Sequence, residues 1–112
     1  MKRSTKDFLS SLEKRTSIII DWSNLEPTDK YVQQNNQPVE VDTLFFNEGK
    51  FIVMVYSCGC NTCKEVMAMQ IFYGLGNSKL IDAEHVRNEI KKVAPSVKLE
   101  VLNMFDLKSI AK

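Results

Sequence analysis

The sequence withholds most of what would announce a function. Its 112 residues include one histidine, one tryptophan, three prolines, four glycines and three cysteines. No run of about 18 apolar residues occurs, so no membrane-spanning helix is expected. Charge of either sign is not in excess: 15 Lys and Arg stand against 14 Asp and Glu, a net +1. That balance supplies no electrostatic case for nucleic acid or an anionic membrane. Repeats and low-complexity tracts are missing too. With 44% hydrophobic and 26% charged residues, the composition is that of an ordinary globular domain rather than a disordered chain. The first residues, "MKRSTKDFLSSLEKR", are basic but lead into more charge instead of an apolar stretch, so a signal peptide is not expected. The expected compartment is therefore the cytoplasm.

What is present is concentrated. Residues 56–66 read "YSCGCNTCKEV", and Cys58, Cys60 and Cys63 are all the cysteine there is. In a cytoplasmic chain a structural disulfide is disfavoured, and clustered cysteines point to catalysis or metal binding.

Along the chain, Ser4 to Arg15 has a helical pattern, with Phe8, Leu9 and Leu12 on one face. Thr16 to Ser23, "TSIIIDWS", has the β-branched content of a strand. Residues 24–38 carry two prolines and no clean period, and predict a loop. From Val39 to Phe46, valines alternate with acids as in a strand. "NEGK" marks a turn, and Phe51 to Tyr56, "FIVMVY", predicts a strand buried on both faces. "KEVMAMQIFYGLG" is apolar all round, as in a buried helix ended by Gly74 and Gly76, with its methionines as core filler. A second helix begins near Asp82 and stops at Pro95. "VKLEVLNMF" then alternates as a strand, and "DLKSIAK" begins a last helix. The reading is one α/β domain over residues 1–112. Residues 1–37 form an N-terminal helix, strand and loop extension, and residues 38–112 a strand–C-x-x-C–helix core.

On that reading Cys60 and Cys63 open a helix. Unpaired N–H groups and the positive end of the helix dipole would favour a thiolate at Cys60, and Cys63 one turn on would resolve a mixed disulfide. "GKFIVMVYSCGCNTCKEV" resembles the thioredoxin superfamily, in which a Gly-Lys turn leads into a central strand, C-x-x-C and a helix. "PVEVDTLFFNEGK" is similar to the preceding segment in the thiol–disulfide oxidoreductase and peroxiredoxin-like branches, and "VKLEVLNMFDLKSIAK" to the strand and helix after the crossover. The resemblance implies a thioredoxin-like three-layer fold with a mixed sheet and flanking helices. It also implies Cys60 as attacking thiol, Cys63 as resolving thiol, no cofactor, and protein thiols or disulfides as partners. Asn61-Thr62 stands between the two cysteines, and no proline follows Pro95, so the superfamily's cis-proline segment is missing. Cys58 becomes an auxiliary thiol, open to glutathionylation.

The alternative is a small zinc-binding domain without catalysis. Cys58, Cys60, Cys63 and His85 supply the three-cysteine, one-histidine set of structural zinc sites. The plainer reading leaves His85 a surface residue. Thiolates also suit Cu(I). A nucleic-acid deaminase would need a His-x-Glu motif, which the lone histidine does not make, and nothing pairs His85 with one cysteine as in a protease. The blandest readings are an inert buried cluster, or a binding domain using Trp22, Tyr31 and Tyr56 in contacts.

Overall fold

A computed structural model describes residues 3–34, 37–58 and 65–104, and for 26–34 and 37–38 the backbone alone. Helix α1 (Arg3–Arg15) is followed by strands β1 (Ile20–Gln34), β2 (Gln37–Phe46), β3 (Phe51–Cys58) and β4 (Val66–Tyr73), then helix α2 (Leu80–Val93) and strand β5 (Lys98–Asn103). The sheet order follows the chain, β1-β2-β3-β4-β5. The first four strands form an antiparallel meander, and β5 joins parallel to β4 after the α2 crossover.

Local chemistry explains these elements. Leu9 and Leu12 give α1 its buried face, and Lys14 and Arg15 in its last turn suit the negative end of the helix dipole. The Thr16 hydroxyl donates to the Leu12 carbonyl at 2.7 Å and accepts the Ile18 N–H at 3.1 Å, closing the helix and starting the descent into β1. Between β2 and β3, Asn47, Glu48 and Gly49 all have positive φ (51°, 59° and 84°), which folds the chain back sharply. Asn47 is tied down by two bonds to Ile19: its N–H donates to the Ile19 carbonyl at 2.7 Å, and its Oδ1 accepts the Ile19 N–H at 3.0 Å. At the start of α2, Asp82 Oδ2 accepts the Lys79 N–H at 3.2 Å.

Both helices pack on one face of the sheet. The core joins Leu9 and Leu12 of α1 and Ala83, Val86 and Ile90 of α2 to Leu44, Phe46, Val53, Val55, Met69 and Ile71. On β3, Phe51, Val53, Val55 and Ser57 point into this core, while Ile52, Met54, Tyr56 and Cys58 are half-buried on the opposite face. The architecture has two layers among the described residues.

This overturns the thioredoxin-like expectation. Residues 66–73, expected to be a helix after the cysteines, form β4, paired antiparallel with β3 and parallel with β5. A short run that is apolar at nearly every position reads equally as a strand or as a segment of buried helix, and periodicity alone does not separate the two. Of residues 24–38, expected to be a loop, 24–34 lie in long strand β1 and 37–38 start β2, with register shifts between Asp21 and Glu26 and between Pro27 and Tyr31. The shifts accommodate Pro27, which has no N–H for a ladder. Because β1 pairs along β2, residues 20–34 belong to the same sheet as the strands that follow. The expected helix in "DLKSIAK" lies outside the described residues.

Candidate functional site

Cys58 ends β3. It is paired with Val39 of β2 and half-buried on the sheet face away from the helices. It is not without a partner of its own. Cys60 and Cys63 lie outside the described residues, in sequence between β3 and β4. Ser57, before this stretch, pairs with Val66, after it. The stretch leads from one antiparallel strand to the next. Activation of Cys60 by a helix dipole requires a helix N-terminus, and β4 does not provide one.

His85 is elsewhere. It sits on α2 with its side chain 68% exposed and Nε2 3.5 Å from Glu89. Glu89 in turn accepts the Ser17 hydroxyl at 2.8 Å. His85 also lines a cleft of about 630 Å³ with Ser17, Ile19, Lys50 and Phe51, at the start of β3. Cys58 is at the other end of that strand. Seven residue steps separate Phe51 from Cys58, roughly 23 Å at the rise of an extended strand. One metal ion cannot take ligands from both, so the set Cys58, Cys60, Cys63, His85 is corrected by removal of His85. The plainer reading of that histidine, a surface residue, fits its exposure.

Beside Cys58 the structure assembles a polar corner that sequence reasoning did not single out. Glu40 and Asp42 of β2 are buried, with 6% and 0% of their surface exposed. Register places Glu40 opposite Ser57 and Asp42 opposite Val55, so both carboxylates project to the helix-covered side. Neither carboxylate is without a partner. Ser57, by contrast, is buried with no hydrogen-bond partner for its hydroxyl among the described residues, and so is Thr5 of α1.

The N-terminal half of α1 lies over this end of the sheet. Phe8 lines a hollow with Glu65 and Val66, and Val66 is the strand partner of Ser57. At the other end of the helix, Glu13 Oε2 accepts the Ile20 N–H at 3.0 Å, and Ile20 pairs with Phe46. Going back from Glu13 to Thr5 covers about 12 Å of helix. Going back from Phe46 to Asp42 covers about 13 Å of strand. The first turn of α1 contains no acidic residue to complement the positive end of its dipole.

A signal for this corner was present in "VEVDTLFF". Glu40 and Asp42 share parity with Leu44 and Phe46, which are fully buried. Val39 and Val41 share parity with Thr43 and half-buried Phe45 on the other side.

No protein-family model, no curated protein and no solved structure matches this chain. No described helix is long and apolar enough to cross a membrane.

Proposed function

We propose that the cysteine segment is a soft-metal ligand set, holding zinc through Cys58, Cys60 and Cys63, and that the protein is a small zinc-binding interaction domain without catalysis. The observation that carries this reading is the pairing of Ser57 with Val66. Three thiols fall within six residues of sequence, between strands paired at Ser57 and Val66, which is a compact set of soft ligands for one ion. Zinc accepts three thiolates readily and completes a tetrahedron with a further ligand from protein, water or partner. The ion itself favours deprotonated thiols, so no helix dipole is required. The competing dithiol reading needs Cys60 activated by its surroundings, and the support it drew from a helix start is gone.

The test is a thiol count with metal analysis on anaerobically purified protein, before and after mild reductant. One equivalent of zinc with three protected thiols is expected. Cys60→Ser and Cys63→Ser should each lose the metal, and His85→Ala should keep it. A metal-free protein that gains two thiols on reduction would overturn the zinc reading and restore a Cys60–Cys63 redox pair.

A further inference from the structure

We propose that β5 is a dimerisation edge, pairing antiparallel with β5 of a second copy of this chain across a two-fold axis through Leu99. β5 ends the sheet, and among the described residues it pairs with β4 alone. Its outer edge therefore offers backbone N–H and C=O groups, the template for a further strand. Charged side chains often blunt such an edge, but here the charges match themselves. Lys98 and Glu100 stand opposite Ala68 and Gln70, on the face away from the helices, and both are exposed. Neither makes an ion pair or a side-chain hydrogen bond among the described residues. Residues directly opposite in an antiparallel ladder share a face, so a two-fold axis perpendicular to the sheet sets one residue against its own copy. Centred on Glu100, the ladder sets two like charges against each other, which destabilises it. Centred on Val101, it sets Glu100 against Leu102 and leaves the charge unmatched. Centred on Leu99, it sets Lys98 against Glu100 of the second copy and Glu100 against its Lys98, so opposite charges face each other twice. On the helix-covered side the same register sets Leu99 against Leu99 and Val97 against Val101. Leu99 and Val101 are half-buried and pack against the core, so the pairing extends an apolar row already begun within one chain. This self-complementarity selects a second copy over an unrelated strand. The paired stretch, Val97 to Val101, is short, so the dimer is expected to form only at micromolar concentration or above.

The experiment is sedimentation equilibrium on the full chain and on a Cys58→Ser/Cys60→Ser/Cys63→Ser variant, in which no disulfide or thiol-bound metal can bridge two copies. Both should show a monomer–dimer equilibrium. Glu100→Lys and Lys98→Glu should each weaken the dimer at least about tenfold, because each turns two attractive cross-strand pairs into two repulsive ones. Mixed in equal amounts, the two variants should dimerise with each other to within about threefold of the wild-type affinity, since every such pair is again an acid against a base. Both positions are exposed, and urea unfolding checks that each variant is folded. Should one variant not fold, the other alone reads the same pairs. The inference is overturned by a wild-type chain that stays monomeric up to about 1 mM. It is equally overturned by a dimer whose affinity is unchanged in a folded single variant, by a mixture that associates no better than its separate components, or by a dimer lost with the cysteines. Because the cysteine-free variant carries the test, this result and the zinc result stand or fall separately.

Discussion

Glu13 is the clasp between α1 and the start of the sheet, and Glu13→Ala tests it. One carboxylate oxygen accepts the Trp22 indole N–H at 2.9 Å, and the other accepts the Ile20 backbone N–H at 3.0 Å. Hydrogen bonds to a charged acceptor contribute about 1.5–3 kcal/mol each when well buried. Both bonds are only partly buried, and water can replace some of the lost partnership, so about 1–1.5 kcal/mol per bond is the better figure here. Alanine returns about 0.4 kcal/mol through its higher helix propensity. The net loss is therefore about 2 kcal/mol, or roughly 8 °C in Tm for a domain of this size. Glu13→Gln keeps one acceptor oxygen and should lose about half as much. Trp22 is the one tryptophan in the chain, so its fluorescence reports the clasp directly. Urea unfolding followed by that emission should show a lower midpoint with an unchanged slope. A midpoint for Glu13→Ala within about 0.5 kcal/mol of wild type, with unshifted emission, would refute the clasp.

Leu9 is fully buried between α1 and the sheet, so Leu9→Ala should cost about 2–5 kcal/mol, whereas Ile81→Ala, at a residue 74% exposed, should stay within about 0.5 kcal/mol in the same urea assay. Glu48 holds φ at 59° in the β2–β3 turn, and Glu48→Gly should raise stability by about 0.5 kcal/mol because glycine adopts that conformation without strain. Burial, and after it the Glu100 carboxylate, pushes the Tyr56 phenol above the ordinary tyrosine value. The folded state therefore holds this proton more tightly than the unfolded chain. The associated stability is fully present below about pH 10 and is lost as pH rises through the raised folded value. In Tyr56→Phe, which also loses the bond to Gln70 Oε1, the alkaline fall in urea midpoint should be shallower than in wild type. A fall of equal steepness in both would refute the assignment.

The helices and turns were legible because their signals are local. Leu9 and Leu12 recur at helical spacing, Asp82 sits where it can accept the Lys79 N–H, and Asn47 to Gly49 form a turn from residue types alone. The alternation of Val97, Leu99, Val101 and Asn103 likewise marked one face of the last strand: Leu99 and Val101 pack against the helix-covered core, opposite Met69 and Ile71. What failed depended on partners distant in sequence. "VMAMQIFY" contains residues that favour helices, Met and Ala, and carries hydrophobic character at almost every position. Only its pairing with β3 on one side and β5 on the other makes it a strand, and β5 begins more than twenty residues later.

That single reassignment changes the chemistry of the cysteines more than it changes the architecture. A C-x-x-C that opens a helix gains a fixed positive field; one that joins two antiparallel strands gains only proximity. Sheet ladders have little net dipole to offer a thiolate. Whatever lowers the thiol pKa in this segment must then come from an ion or a charged neighbour.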